Sequence, residues 1–306
     1  MFDLRRLRLL LELKHRGTIS AVAAALNYSP STISQQLSLL ETEVGVELLE
    51  PIGRRVRLTP QAEILAAHTE TVLRQLEAAE AEIARSLAEL TGTVRIAAFQ
   101  SVLLTLLPPA LADLNADHPG LRVELFQAEP EVALPKMLVH DFDLVVAEEY
   151  PGHPLPRPAE VEYRELRLEH MRFALPPTDH EVDPGQVWEL VAQRPWIAEP
   201  PGSASHQWIQ ELCRGAGFEP DIRYTTDDLL VHRRFVEHGH AVAVLPDLIL
   251  SDDPSDAVLL DIPGGPHARR IVAAYRKDNA EHPAIMACQA ALAVRRDNTE
   301  DPHQPR

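Results

Sequence analysis

Residues 18–41, TISAVAAALNYSPSTISQQLSLLE, read as two short helices joined by a tight turn. Ala21, Ala23, Ala24, Ala25 and Leu26 make a compact first helix, with Thr18 or Ser20 placed to cap it. Asn27-Tyr28 is the break, because Asn tolerates the left-handed conformation that ends helices. Ser29 then caps a second helix, and Pro30 takes its first position, where a missing N–H costs nothing. Ile33, Leu37 and Leu40 recur at helical spacing and predict the buried stripe of that helix. Ser31, Thr32, Gln35 and Gln36 fall outside the stripe. Short hydroxyl and amide side chains can read base edges, and a Gln can pair with adenine through two hydrogen bonds. A small-residue helix, a turn and a polar-faced helix is the helix-turn-helix plan, with the second helix directed into the major groove. From these residues alone an ordinary helical hairpin is the alternative.

The flanks decide between the two. Leu4, Leu7, Leu10, Leu11 and Leu13 place a leucine-rich helix before the motif. Gly45 stops the second helix, and the apolar runs Val46–Leu49 and Val56–Leu58 then flank Pro51-Ile52-Gly53-Arg54-Arg55. That pattern predicts a β-hairpin wing, with Arg54, Arg55 and Arg57 placed to touch phosphate or the minor groove. Thr59-Pro60 restarts a helix.

On these residues the chain closely resembles the LysR-type transcriptional regulators. The matching positions are the Ala-Ala-Ala-Leu run at 23–26, Ser29, Ile33-Ser34, Gln36-Leu37, Leu40-Glu41, Gly45-Val46, Leu48-Leu49, Gly53-Arg54-Arg55-Val56 and Leu58-Thr59. Members commonly read Ser-Gln-Pro where this chain has Ser29-Pro30-Ser31. The resemblance implies double-stranded DNA as partner and a homodimer or homotetramer. It also implies a C-terminal domain with a periplasmic-binding-protein-like fold that senses a small-molecule effector, with no cofactor.

The net charge of −17 argues against a DNA ligand until it is divided along the chain. Residues 1–60 carry eight Lys or Arg against six Asp or Glu, residues 61–92 two against six, and the remainder nineteen against thirty-four. Only the segment with the DNA-binding pattern is net positive. Cys213 and Cys288 lie far apart without metal-ligand spacing and read as reduced buried thiols. No apolar run approaches the ~18 residues of a membrane span, and no leader pattern opens the chain, so a cytoplasmic protein without membrane contact is expected.

Residues 60–90 read as one long helix. Leu65, Val72, Leu76, Ala79, Ile83, Leu87 and Leu90 recur close to a heptad pattern, with the glutamates off the seam. A dimer helix is the expectation, and a single amphipathic helix packed on its own domain is the alternative. From Thr93 onward strands alternate with helices, as in a parallel α/β sheet. The expected strands are Val94–Phe99, Leu121–Phe126, Leu144–Ala147, Met171–Leu175, Trp196–Ala198, Ile222–Tyr224, Ala241–Leu245 and Ile271–Tyr275. The whole is an α+β multidomain chain: a winged helix-turn-helix over 1–60, a linker helix over 61–92 and a two-part α/β effector domain over 93–296. In that domain 93–163 with 267–296 makes one half and 164–266 the other. Residues 297–306 lack apolar content and read as a disordered tail.

Ligands of open α/β sheets sit beyond the carboxyl ends of the strands. The residues there are Gln100 and Ser101, Glu129, Glu148 with Glu149, Glu199 with Ser203, and Thr226 with Asp227. Gln100-Ser101 opens a helix whose free N–H groups suit a carboxylate, while the acids suit a cation. The set therefore points to an amino acid or another zwitterion or cation, against the alternative that these acids are solvated or helix-terminal charges. Fourteen histidines include His232, His238 and His240, yet no metal-ligand motif appears. Pro201-Gly202-Ser203-Ala204-Ser205 lacks the Gly-x-Ser-x-Gly spacing of a nucleophile elbow, and Ser203 reads as a helix cap. An enzyme is not expected. A regulator controlled without any ligand, and an enzyme or solute-binding protein fused to a helix-turn-helix, are the rival readings.

Overall fold

The computed structural model describes residues 2–26, 28–52, 55–86, 89–250 and 255–293. The chain forms two compact units, one built on residues up to Ala88, with the short segment Pro135–Asp141 counted in it, and one on residues from Glu89 onward.

The first unit opens with helices α1 (Leu4–Arg16), α2 (Ile19–Leu26) and α3 (Pro30–Val44). Each boundary has a local cause. The Asp3 side chain accepts from Arg5 N and starts α1, and Gly17 at φ 74° ends it. Thr18 Oγ1 accepts from Ala21 N at 3.1 Å, so Thr18 rather than Ser20 caps α2. Ser29 Oγ accepts from Thr32 N at 3.1 Å with Pro30 in the first turn, and Gly45 at φ 80° closes α3. Ile33, Leu37 and Leu40 pack with Leu7, Leu10, Leu13, Val22 and Leu48 in one core. Fully burying each of these side chains stabilises by about 1.5–3 kcal/mol. The wing follows as an antiparallel hairpin of β1 (Leu49–Ile52) and β2 (Arg55–Leu58), with Glu50 opposite Arg57. Glu41 fastens the hairpin to α3, since its Oε1 accepts from Leu48 N at 2.9 Å and Leu49 N at 3.1 Å.

The long helix α4 runs Pro60–Ser86, capped by Thr59 through Ala62 N, and stops short of the expected residue 90. One face, with Ala62, Ala66, Thr69 and Leu73, is buried against its own unit. Val72, Leu76 and Ile83 are exposed on the other face, as is Ala79. Leu65 packs on the helix-turn-helix core instead of joining them. Leu87 lies outside the described residues, as do Arg54 and the expected tail 297–306.

The second unit contains β3 (Gly92–Ala98), α5 (Gln100–Thr105), α6 (Leu107–Asp117), β4 (Leu121–Gln127), α7 (Pro130–Leu138), β5 (Leu144–Glu149) and β6 (Val161–Leu175). It continues through α8 (Val187–Ala192), β7 (Pro195–Ala198), α9 (Ala204–Gly215), β8 (Asp221–Thr225), α10 (Leu229–Glu237), β9 (Ala243–Pro246) and α11 (Asp247–Leu250). The strands β10 (Val258–Asp261) and β11 (Ala268–Arg276) and helix α12 (Pro283–Ala293) complete it. The order in the main sheet is β10-β6-β11-β5-β3-β4, with β9 also on β6.

Two expectations change here. The sheet is mixed: β3 runs parallel to β4 and β5, but β11 is antiparallel to both β5 and β6. The strand expected at Met171 begins ten residues earlier, at Val161, so the 163/164 boundary falls inside β6. Residues 161–170 of β6 pair with β11, whereas 171–174 pair with β9 and 172–175 with β10. Charged residues at Glu162, Arg164, Glu165, Arg167 and Glu169 interrupt the apolar pattern there, which hid the strand from a reading by apolar runs. A core around Ile96, Phe99, Val146 and Ile285 serves one lobe; a second, with Phe173, Trp196 and Trp208, serves the other.

Candidate functional site

Helix α3 turns Ser31, Ser34, Gln35 and Ser38 to solvent, with Ser29, Pro30 and Tyr28 exposed at its start. This face carries no ionic charge, so it offers hydrogen bonds without the desolvation cost of an ion. Gln35 projects freely from it. Gln36 is half-buried, and its Oε1 accepts from Arg6 Nε at 3.1 Å. Thr32 is half-buried in the first turn, with its hydroxyl 2.8 Å from Ser29 Oγ. Ser34 and Ser38 join the face although sequence reading passed them over. The signal was their spacing from Ser31, at i+3 and i+7. In the wing, Arg57 is exposed and donates to Glu50 Oε2 at 2.7 Å, so its charge is already paired. The Arg54 and Arg55 side chains lie outside the described residues.

The second surface is a small open cleft lined by Phe99, Gln100, Glu129, Glu148, Glu199, Asp227, Leu229 and Arg269. Five of the nine residues expected at strand ends meet here: Gln100, Glu129, Glu148, Glu199 and Asp227. Ser101, Glu149, Ser203 and Thr226 do not line it. Ser101 is fully buried and accepts from Arg269 Nη2 at 2.6 Å. Ser203 caps α9 by accepting from His206 N, and the Thr226 hydroxyl accepts from Asp228 N at 3.2 Å. Helix α5 has only six residues, too short for the anion-binding N-terminus expected of it. Glu148 and Glu149 end β5 rather than following it.

Arg269 organises the cleft, and sequence reading missed it. It is 1% exposed, faces Glu169 across the β11–β6 register, and donates from Nε to Glu169 Oε2 at 2.7 Å. Nη1 pairs with Glu148, and the guanidinium lies 4.9 Å from the Phe99 ring centre. Glu169 spends its other oxygen on Leu248 N at 2.7 Å. Burial alone would lower the Arg269 pKa, but Glu148 and Glu169 outweigh it and hold the group cationic. A signal existed: neighbouring strand residues face opposite sides, so of Arg269-Arg270 one must point inward.

The remaining acids have no such cation. The Glu129 carboxyl has no hydrogen-bond partner among the described residues, and burial, with Glu148 and Glu199 nearby, pushes it up to about 9. Burial, then Glu148, raises Glu199 to about 8, although Ser203 hydrogen-bonds it. Gln100 spans the cleft: its Nε2 donates to Asp228 Oδ1 and its Oε1 accepts from Leu229 N, both at 2.7 Å. Glu131 Oε1 accepts from Ala204 N at 3.3 Å. Among the described residues no group of acids, histidines and cysteines could hold a metal ion, and both cysteines are free and buried.

A capped helix-turn-helix with a wing, followed by a long helix and a two-lobed α/β domain with a polar cleft, defines a DNA-binding transcriptional regulator with an effector domain. The family descriptions agree: "Bacterial regulatory helix-turn-helix protein, lysR family" matches residues 4–63, and "LysR substrate binding domain" matches 87–295. The chain belongs to the LysR family. It is 26% identical to the transcriptional dual regulator GltC of Bacillus subtilis over 282 residues, covering 91% of this chain and 92% of that one. The transcriptional activator IlvY of Salmonella typhimurium is 27% identical, with 82% and 85% covered. In fold, a full-length OxyR variant from Pseudomonas aeruginosa matches with TM-score 0.64 at 19% identity, covering 96% of this chain and 98% of that one. Full-length CbnR in complex with its target DNA matches with TM-score 0.54 at 20% identity, covering 96% and 99%. Such relatives are regulators, and this chain is not an enzyme. No helix among the described residues is long and apolar enough to cross a membrane.

Proposed function

We propose that the chain regulates transcription in the cytoplasm as a homodimer or homotetramer, reading its operator with Ser29, Pro30, Ser31, Thr32, Gln35 and Gln36 of the helix-turn-helix. In this reading Arg54 and Arg55 of the wing hold phosphate, and a small molecule in the cleft sets the outcome. The domain limits follow the sequence reading, except that the lobes divide near 170/171, where β6 exchanges β11 for β9 and β10. The effector carries positive charge, as an amino acid or another zwitterion or cation does. The observation that carries this is the charge balance of the cleft: Glu129, Glu148, Glu199 and Asp227 face a single cation, Arg269. Effector binding would act by stabilising one placement of the two lobes over another, and so of the paired DNA-binding ends.

Selection of bound DNA with and without amino acids, polyamines and aromatic carboxylates tests the whole reading. A defined site whose occupancy shifts with one ligand class is the expected result. A site that forms but answers to no ligand would favour control by abundance or by a protein partner.

Assembly rests on α4. Val72, Leu76, Ala79 and Ile83 form an exposed seam in steps of four, three and four. Leu76→Glu would bury an unpaired charge between paired helices and cost several kcal/mol. The expected outcome is dissociation toward monomer with loss of operator binding, and wild-type sedimentation of this variant would refute the seam.

A further inference from the structure

Resting on the reading of the cleft as the effector site, we propose that the effector is an organic cation without a carboxylate of its own, a small alkylammonium such as a diamine or polyamine, held between Glu129 and Glu199 with Asp227 at the mouth. Support for a ligand here comes from the match of this domain to a substrate-binding domain, in which the cleft lies. Its chemistry then decides what enters.

A carboxylate ligand binds best beside an uncommitted cation, and the Arg269 guanidinium in the lining is already largely engaged. Arg269 donates to Glu169, Glu148, Tyr150 and Ser101. Gln100, the other donor in the lining, spends its amide on Asp228. An ammonium group has the opposite fortune. It brings up to three donors, and the Glu129 carboxyl accepts from nothing among the described residues. Glu199 is 7% exposed and lines the same space.

The ligand-free cleft meets its surplus of acid by holding protons. The charged groups facing Glu129 and Glu199 are Glu131 on α7, Glu148 on β5, Asp227 before α10 and Arg269 on β11. His206 of α9 touches the Glu199 backbone carbonyl through Nδ1 at 2.7 Å. Glu129 near 9 and Glu199 near 8 are both protonated at pH 7. A bound ammonium favours the carboxylates, so each carboxyl that ionises releases about one proton on binding. Affinity therefore rises with pH by roughly ten-fold per unit for each proton released, until the carboxyls ionise without help.

Calorimetry on the full-length protein tests this with putrescine, spermidine, L-lysine, L-glutamine and succinate, each in two buffers of different ionisation enthalpy. Putrescine or spermidine should bind more tightly than the zwitterions, succinate should not bind, and protons should be released. Glu129→Gln and Glu199→Gln should each weaken amine binding roughly ten-fold and remove about one released proton. Circular dichroism checks that both fold, and each variant serves if the other does not. Binding of glutamine or succinate with weaker or absent amine binding overturns the cation assignment while leaving an effector in the cleft. Amine binding without proton release, or unchanged in both variants, also overturns it. If nothing binds and operator occupancy answers to none of the five, the effector reading fails with it.

Discussion

Helix α3 and the effector cleft solve opposite problems with polar side chains. Helix α3 sets hydroxyls and amides on an exposed face, each within two turns of the next, and buries Ile33, Leu37 and Leu40 beneath them. Removing one polar group there leaves the fold standing. The ionic node at the cleft's wall joins Ser101, Glu148, Glu169 and Arg269 from four distant parts of the chain and takes them out of water. Such a network stands only when complete, because a buried charge without its partner is costly. A surface that reads another molecule can be built from independent parts; a buried ionic node cannot.

The largest expected effect tests that difference at its root. Arg269→Met leaves Glu148 and Glu169 buried without their cation and should cost about 3–5 kcal/mol of stability in urea unfolding. A loss below one kcal/mol would mean that the node is dispensable and the contrast false. On α3 the effects should fall on binding instead. Gln35→Ala should cost ~1–3 kcal/mol on the selected operator and much less on random DNA, with stability unchanged. Equal losses on both DNAs would remove Gln35 from the reading face. Gln36→Ala is the sharper companion. Because Arg6 already holds the Gln36 amide, its loss of operator preference should be smaller than that of Gln35→Ala.

The last effect is one of pH. Glu129 sits near 9 in the folded protein against an ordinary value of 4.5. Between those values the folded state keeps a proton that the unfolded chain releases, so stability falls as pH rises through this window. The ligand-free protein should therefore melt a few degrees lower at pH 9 than at pH 6, with Glu129→Gln showing the shallower slope. Parallel slopes for wild type and variant would place the proton elsewhere.

The same contrast explains what was legible in the sequence. The caps at Ser29 and Thr59, the stop at Gly45 and the buried stripe of α3 all depend on residues within a turn or two. Their signals stand next to each other in the chain. Five cleft residues were found because a strand's carboxyl end is also a local mark. Arg269 and Glu169 were not, since only the register between β6 and β11 makes them neighbours. Ser101 was singled out as the start of a helix, and in the fold its hydroxyl accepts from Arg269. The charged first ten residues of β6 were hidden because the exposed side of a strand carries no apolar signature.

The crossing of β6 and β11 has a mechanical meaning. Two hydrogen-bonded strands passing side by side between the lobes make a ribbon that resists stretching and sliding but yields to twist. Arg269 and Glu169 face each other close to the end of that paired stretch, with Met171 N donating to His267 O at 2.9 Å just beyond. The buried Arg269 cation thus lies where the paired strands pass from one lobe to the other. By geometry alone, a small turn of the ribbon at this point would displace the far ends of the lobes much further than the residues beside it.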